Sequence, residues 1–206
     1  MSLLESGQLR ITGGTKKNRK LITPKSSGNK DVIRPTSDRV REALFSILGG
    51  AVLNARVCDL FAGTGSFGLD ALSRGSQLVV FVDESLQSLQ LIGQNLFTCF
   101  DQPQAEALRL DLKKKLSYAT LKKRFAQRIP FDIVFLDPPY EKELAETALT
   151  LIEKTGLVAT KGFVIAEERW KVTLPDRIGS LHLHLHRRYG ETGIWIYKQH
   201  SRQSES

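Results

Sequence analysis

Apolar and polar residues alternate along most of this chain in two periods, one typical of strands and one typical of helices. Short apolar runs predict buried strands at residues 57–61, 78–82, 131–136 and 163–166, with a weaker strand at 105–110. Apolar residues recur at helical spacing over residues 40–48, 67–74, 86–96 and 144–152, and a basic helix is predicted at 115–127. Strands separated by helices indicate parallel βαβ units with right-handed crossovers.

Both ends of the chain depart from this alternation. Residues 181–186 and 194–197 are two strands with only a loop between them, so we expect an antiparallel hairpin. Residues 9–23 hold two short apolar pieces around Gly13 and Gly14, which predict a small strand pair. The expected organisation is a basic N-terminal arm with a linker at 1–35, an α/β domain at 36–198 and a disordered polar tail at 199–206.

The charge of the chain is concentrated near its beginning. Residues 1–41 contain ten Lys and Arg residues and three acids, a balance of +7 against a net charge of +8 for all 206 residues. A second run, at 113–128, has seven basic residues and no acid. Either run alone is as easily a solvated surface, but together they favour a nucleic acid partner. The residues of the arm expected to contact phosphates are Arg10, Lys16, Lys17, Arg19 and Lys20.

Cysteine usage and the apolar runs predict a cellular compartment. The chain has two cysteines, and Cys58 lies inside a predicted buried strand, so reduced thiols are expected rather than a disulfide. No apolar run approaches the ~18 residues that span a membrane, and the first residues lack the pattern of a secretory signal. We therefore expect a cytoplasmic protein that does not contact membranes, and we expect it to be a monomer.

A glycine-rich segment joins the first strand of the α/β domain to its helix. Gly63, Gly65 and Gly68 fit the spacing G-x-G-x-x-G, which lets the backbone turn tightly and approach a ligand. Asp83 ends the second strand, where a carboxylate can accept hydrogen bonds from ribose hydroxyls. Both a nicotinamide dinucleotide and S-adenosylmethionine fit this pattern. The residues expected to hold the cofactor are Asp59, Phe61, Ala62, Gly63, Thr64, Gly65 and Asp83.

The sequence Asp-Pro-Pro-Tyr at 137–140 favours S-adenosylmethionine. This segment has no obvious use in hydride transfer, and Asp59 would be poorly placed beside a pyrophosphate. The Asp137 carboxylate and the Pro138 carbonyl could each accept one N–H of an exocyclic amine, and Tyr140 could stack on the base. The prolines would hold these acceptors rigidly. We expect Asp137, Pro138 and Tyr140 to be the catalytic residues, with guanine, adenine or a glutamine side chain as the substrate.

Several segments resemble the RsmD type of 16S ribosomal RNA guanine-N2 methyltransferase. The matching segments are residues 10–14, 19–21, 34–45, 59–68, 137–140 and 189–192, so the similarity spans nearly the whole chain. The resemblance implies a Rossmann-like class I S-adenosylmethionine-dependent methyltransferase fold, with a seven-stranded, mostly parallel sheet of order 3-2-1-4-5-7-6 whose last strand is antiparallel. It implies that Asp111 lies near the adenine and that residues 34–36, including Arg34 and Thr36, close over the cofactor and base. The implied substrate is a guanine N2 of 16S ribosomal RNA, within a small-subunit particle.

Other functions stay open at this point. Adenine-N6 methylation of DNA would use the same tetrapeptide, and a nucleotide-binding oxidoreductase or a non-catalytic RNA-binding assembly factor are alternatives from other classes. His182, His184 and His186 alternate along a predicted strand, so all three are expected on one face. We interpret them as solvent-facing rather than as zinc ligands, because the leucines between them fill the opposite face. No metal site is expected.

Overall fold

The computed structural model describes residues 9–23, 37–139 and 144–201. Its centre is a mixed sheet with the strand order β3-β2-β1-β4-β5-β8-β7-β6. The strands are β1 (Arg56–Leu60), β2 (Leu78–Asp83), β3 (Ala105–Arg109), β4 (Phe131–Leu136), β5 (Val158–Arg169), β6 (Arg177–Ile178), β7 (Leu181–Tyr189) and β8 (Thr192–Gln199). The first five strands pair in parallel, and β8 lies antiparallel between β5 and β7.

Helices cover both faces of the sheet and bury two apolar layers. The helices are α1 (Asp38–Leu48), α2 (Ser66–Ser73), α3 (Leu86–Cys99), α4 (Lys115–Arg124) and α5 (Leu144–Thr155), with short 3-10 turns at Gly14–Lys16 and Gly49–Val52. The layer on one face contains Leu44 of α1, Phe67 of α2 and Ile92 of α3. The layer on the other face contains Tyr118 of α4 and Leu149 of α5. The predicted α/β architecture with a terminal antiparallel hairpin is therefore confirmed.

The number of strands was predicted wrongly: the sheet has eight strands and not seven. The seven long strands keep the expected order, and the additional strand is the two-residue β6 at the sheet edge. It pairs antiparallel with the start of β7 through Arg177 with His182 and Ile178 with Leu181. Two residues are too few to produce an apolar run, so sequence periodicity carries no signal for such a strand.

The strand pair predicted within residues 9–23 is reduced to one antiparallel bridge, between Arg10 and Lys20. Three backbone hydrogen bonds of 2.8 to 2.9 Å still join the two halves of this segment. The Thr12 and Gly13 N–H groups donate to the carboxylate of Asp70 in α2, at 2.7 and 3.3 Å. Ile11 is fully buried in the layer shared by α1, α2 and α3. This segment therefore packs against the α/β sheet and its helices through apolar contacts as well as hydrogen bonds.

The prediction that His182, His184 and His186 share one face is wrong, because β7 contains a bulge. The pairing with β8 shifts between Leu183 and Leu185, which leaves His184 as the extra residue. Leu183 accordingly packs in the α4–α5 layer and Leu185 in the α1–α3 layer. His182 and His186 therefore point to opposite faces. Within the described ranges, no group of three or more His, Cys, Asp or Glu residues could hold a metal ion.

None of the helices in the described ranges is long and apolar enough to cross a bilayer.

Candidate active site

The glycine-rich loop leaves β1 after Leu60 and enters α2 at Ser66. Three of its residues have left-handed backbones, with φ of 56° at Phe61, 53° at Gly63 and 72° at Gly65. The Gly65 N–H donates to the Ala62 carbonyl at 2.7 Å, which closes a tight turn. Thr64 between the two glycines is buried. The predicted cofactor residues of the loop therefore form one compact turn at the carboxyl end of β1.

Asp83 fixes this loop to the neighbouring strand. One carboxylate oxygen accepts the Gly63 N–H at 2.8 Å, and the other accepts the Ser85 N–H, also at 2.8 Å. The Ala62 N–H continues the contact by donating to the Val82 carbonyl at 3.1 Å. Asp83 thus joins the loop to Ser85, the residue that caps α3. Its side chain is half-buried at the carboxyl end of β2.

Asp59 lies directly beneath the loop, with only 1% of its surface exposed. Its carboxylate accepts the Gly68 N–H of α2 at 3.0 Å. Burial raises the pKa of Asp59 to about 8; the Gly68 N–H opposes this rise, the negative charge of Asp83 adds to it and Arg41 opposes it. The negative charge of Asp83 favours a positively charged group at the loop, and such a group would in turn favour the ionised form of Asp59.

Replacing Asp59 with asparagine is expected to change how stability depends on pH. The folded chain raises the pKa of Asp59 from its ordinary value of 3.8 to about 8, so the folded state binds this proton more tightly. Stability from this group is thus present below about pH 4 and is lost as the pH rises toward about 8. The substituted amide cannot ionise but can still accept the Gly68 N–H. Urea unfolding should show that the free energy of unfolding of the variant rises relative to that of the wild type, by about 1 to 3 kcal/mol between about pH 5 and about pH 8.

Asp132 provides the matched control for that measurement. Its hydrogen bonds from Arg56 outweigh the effect of burial and keep its pKa below the ordinary value. It is therefore ionised in both the folded and the unfolded chain across this pH range. The Asp132→Asn variant should differ from the wild type by a constant amount between the two pH values. An Asp59→Asn variant that behaves in the same way would contradict the assignment of a raised pKa.

The predicted catalytic segment begins beside the glycine-rich loop. Leu60 of β1 pairs with Leu136 of β4, so Asp137 follows at the level of Phe61. The Asp137 N–H donates to the Leu60 carbonyl at 3.5 Å. The side chain of Asp137 is half-buried, Pro138 is buried and Pro139 is exposed. The structure thus brings Asp137 and the cofactor loop together at the carboxyl ends of two adjacent strands. Tyr140, Arg34 and Thr36 lie outside the described residues.

Asp111 lies two residues after β3, at the carboxyl ends of the parallel strands. The preceding residue, Leu110, donates its N–H to the Asp83 carbonyl at 3.1 Å, so Asp111 follows close to the end of β2. A hydrogen bond from the Lys114 side chain, with a second from the Lys113 N–H, lowers the pKa of Asp111. This carboxylate therefore stays ionised close to the end of β2, and its contact with an adenine stays a prediction.

Glu167 is a second carboxylate near Asp137 that the sequence interpretation missed. Leu136 of β4 pairs with Ala166 of β5, so Glu167 follows next to Asp137 on the adjacent strand. Only 3% of Glu167 is exposed. The predicted strand ended at Ala166, and an acid directly after a buried apolar run was the available signal. Asp137 and Glu167 thus lie at the same level on two neighbouring strands, and Asp59 lies two residues earlier on the third, level with Phe135.

The basic residues predicted to contact RNA divide between two positions. The turn that contains Lys16 lies beside the C-terminal end of α2, where the Lys16 N–H donates to the Ser73 hydroxyl at 2.9 Å. The cofactor loop lies at the other end of this eight-residue helix, roughly 12 Å away along its axis. Lys17 and Arg19 are exposed near the same turn, whereas Arg10 and Lys20 pair farther along the segment. The structure therefore does not bring Lys16 close to Asp137.

A buried ionic cluster holds this segment in place, and the sequence interpretation also missed it. Arg41 of α1 and Asp70 of α2 are both fully buried, and their side chains meet at 2.9 Å. Arg41 also donates to the Arg10 carbonyl at 2.6 Å and to Asp38 at 2.8 Å. Asp70 accepts the N–H and the hydroxyl of Thr12 at 2.7 and 3.0 Å. We refer to Arg41, Asp70, Asp38 and Thr12 below as the ionic cluster.

Comparisons with known proteins agree with this architecture. A family profile described as Conserved hypothetical protein 95 matches residues 9–198. Ribosomal RNA small subunit methyltransferase D of Escherichia coli (strain K12) is 34% identical over 201 residues, which cover 98% of this chain and 94% of that protein. The solved structure of the putative methyltransferase yhhF from Escherichia coli superposes with a TM-score of 0.78 at 31% identity, covering 95% of this chain and 100% of the other.

A more distant structure supports the assignment of the fold. It is an RNA methyltransferase from Salinibacter ruber in complex with S-adenosyl-L-homocysteine, with a TM-score of 0.59 and 10% identity over 84% of this chain and 97% of the other. The fold is the α/β methyltransferase fold, as the motifs implied. The chain belongs to the Conserved hypothetical protein 95 family, together with the bacterial Ribosomal RNA small subunit methyltransferase D proteins whose motifs it shares.

Proposed function

We propose that this protein transfers a methyl group from S-adenosylmethionine to the N2 amine of a guanine in 16S ribosomal RNA. The observation that carries the proposal is the position of Asp137. Its carboxylate follows β4 at the level of Phe61, the first residue of the glycine-rich loop on the adjacent strand. A methyl donor in the loop and an amine at Asp137 would therefore be neighbours, and such positioning is a major source of rate enhancement.

The loop favours S-adenosylmethionine over a nicotinamide dinucleotide on electrostatic grounds. S-adenosylmethionine carries an ammonium and a sulfonium, and these positive charges next to Asp59 would lower its raised pKa and be stabilised by the carboxylate that forms. A dinucleotide would place its pyrophosphate at the start of α2. The Gly63 N–H, a donor that a pyrophosphate would use, already donates to Asp83. Thermal unfolding should therefore shift upward with S-adenosylmethionine and stay unchanged with NAD or NADP.

The residues at β4 suit an amine that is a poor nucleophile. The lone pair of a guanine amine is delocalised into the ring, so the amine needs acceptors that orient it and stabilise the positive charge that develops. The Asp137 carboxylate and the Pro138 carbonyl would each accept one N–H. The nitrogen then forms its bond to the methyl carbon as the carbon–sulfur bond breaks, and one amine proton leaves to Asp137 or to water. Tyr140 would stack on the base from the following position.

The choice of RNA as the substrate follows the charge of the chain and its relatives. The exposed side chains of Arg10, Lys17, Arg19 and Lys20 form a cationic surface on residues 9–23, and Lys16 is half-exposed beside them. The relative from Escherichia coli is named for ribosomal RNA of the small subunit. The narrower assignment to guanine N2, and to an assembled small-subunit particle acting with a monomeric enzyme, rests on the family resemblance.

One experiment tests the function directly. The protein is incubated with methyl-labelled S-adenosylmethionine and one of three acceptors: naked 16S RNA, small ribosomal subunits or duplex DNA. We expect label in ribosomal RNA, preferentially in the subunit, and digestion to nucleosides should yield N2-methylguanosine. Label in adenine of DNA would instead identify an adenine-N6 methyltransferase. Salt-sensitive RNA binding without any transfer would identify an assembly factor.

A further inference from the structure

A cationic and aromatic surface at the end of the terminal hairpin has no role in the function proposed above. We call it the hairpin-end surface, and it consists of Arg169, Trp170, Lys171, His186, Arg187 and Arg188. Arg169 ends β5, and Trp170 and Lys171 follow directly. The other three residues lie in the last four positions of β7. The hydrogen bond from the Trp170 N–H to the Glu191 carbonyl, at 3.0 Å, ties the two parts together.

This surface lies at the same end of the sheet's strands as Asp137, the end at which β4 finishes. Strands β5 and β7 are both antiparallel to β8, so their carboxyl ends face the same way as the end of β4. Strand β7 lies three positions from β4 in the sheet, which is roughly 14 Å at the usual strand spacing. The cofactor loop lies on the other side of Asp137, beyond β1. The hairpin-end surface therefore flanks the target position on the side away from the cofactor.

The charges of this surface favour a polyanion. Arg169, Lys171, Arg187 and Arg188 are all exposed cations. Among the neighbouring acids, Glu167 and Glu168 are buried, and the exposed Glu191 pairs with Arg188 at 3.7 Å. The exposed charges around the surface thus have a clear positive excess, as expected where phosphates bind.

The arrangement of planar groups favours single-stranded RNA in particular. The Arg188 guanidinium lies over the Trp170 ring, 3.7 Å from its centroid, and about half of the Arg188 side chain stays exposed. The His186 ring stacks on the buried Trp195 ring at 4.2 Å between centroids. Gly193 makes room for this packing, because a Cβ there would come within 2.5 Å of the Trp195 ring. Unstacked RNA bases pack on such guanidinium and aromatic planes.

We propose that the hairpin-end surface binds the RNA strand next to the target guanine. A neighbouring base would stack on the exposed face of the Arg188 guanidinium, whose other face packs on the Trp170 ring. Arg187 and Lys171 would contact phosphates. This inference rests on the proposed function, because it takes RNA as the substrate. It adds a second cationic site to the basic residues on residues 9–23, and this second site lies at the end of the strands where Asp137 is found.

The test compares Arg188→Ala with Arg177→Ala. Both are exposed arginines that donate to a backbone carbonyl two residues ahead. Arg177, however, lies in β6 and pairs with the start of β7, at the opposite end of that strand from Arg188. We expect Arg188→Ala to weaken binding of a 16S RNA fragment that contains the target guanine roughly 5- to 100-fold. Arg177→Ala should change it less than about twofold, and both variants should bind S-adenosylmethionine like the wild type. Equal RNA affinities of the two variants would overturn the inference.

A conservative variant separates stacking from simple charge. Arg188→Lys keeps the positive charge but loses the flat guanidinium, so RNA binding should stay close to that of Arg188→Ala. Full recovery with lysine would overturn the stacking role. Equilibrium binding to RNA needs no turnover, so the result is independent of the methyl-transfer assay. If the wild type transfers no methyl group yet Arg188→Ala loses affinity, the proposed function fails and the RNA-binding surface stands.

Discussion

Replacing Asp137 with alanine is expected to lower the rate of methyl transfer roughly 100- to 1,000-fold. The carboxylate would accept one amine N–H and stabilise the positive charge that develops on the nitrogen, and alanine can do neither. The affinity for S-adenosylmethionine should change less than about threefold, because none of the residues expected to hold the cofactor belongs to β4 or to the segment after it. Single-turnover rates with labelled cofactor and saturating RNA measure the chemical step apart from binding.

Two further variants make this prediction specific. Asp137→Asn keeps one acceptor oxygen but loses the negative charge, so its rate should lie between those of alanine and the wild type. Asp101 is an exposed aspartate between α3 and β3, at the amino ends of the parallel strands. The Asp101→Ala variant should keep the full rate. Undiminished transfer by Asp137→Ala would remove the central argument for the proposed chemistry.

Replacing Asp70 with alanine is expected to lower the free energy of unfolding by about 3 to 5 kcal/mol. The substitution leaves the fully buried Arg41 guanidinium without its contact at 2.9 Å. It also leaves the Thr12 N–H without its acceptor, which adds to the loss because buried unpaired donors are costly. Urea denaturation followed by circular dichroism measures this change.

Asp38 offers the matched comparison within the same ionic cluster. It also contacts Arg41, at 2.8 Å, but about a quarter of its side chain is exposed. Solvent can replace much of that contact, so Asp38→Ala should cost only about 1 kcal/mol. Hydrogen exchange supplies a second readout, since residues 9–23 should lose protection in Asp70→Ala far more than in Asp38→Ala. Equal losses in the two variants would show that burial of the cluster is not what matters.

Sequence patterns were sufficient for the features that depend on local order. The apolar run at Phe131–Leu136 has the same bounds in the structure as in the prediction. The glycine-rich loop, Asp83 and Asp137 occupy the ends of successive or adjacent strands, as the βαβ pattern requires. These features follow from short periods and turn residues, which act over a few positions of the chain.

The features that sequence interpretation missed depend on contacts between distant residues. Arg41 and Asp70 are 29 positions apart, and nothing in either helix indicates that their charges are buried together. The bulge at His184 reverses the faces of β7 without interrupting the alternation of leucine and histidine in the sequence. Residues 9–23 are likewise held by Asp70, far along the chain, which accepts the Thr12 and Gly13 N–H groups.

The length of α2 sets a minimum size for the RNA. The helix holds the cofactor loop at its first residue and the turn of Lys16 at its last. Its roughly 12 Å corresponds to about four stacked nucleotides, at about 3.4 Å for each nucleotide of a strand. A guanosine, or a di- or trinucleotide, could therefore reach Asp137 without reaching Lys16. On the proposed function, the enzyme would favour a long folded RNA over free nucleotides, because only the long RNA could contact Asp137 and Lys16 at the same time.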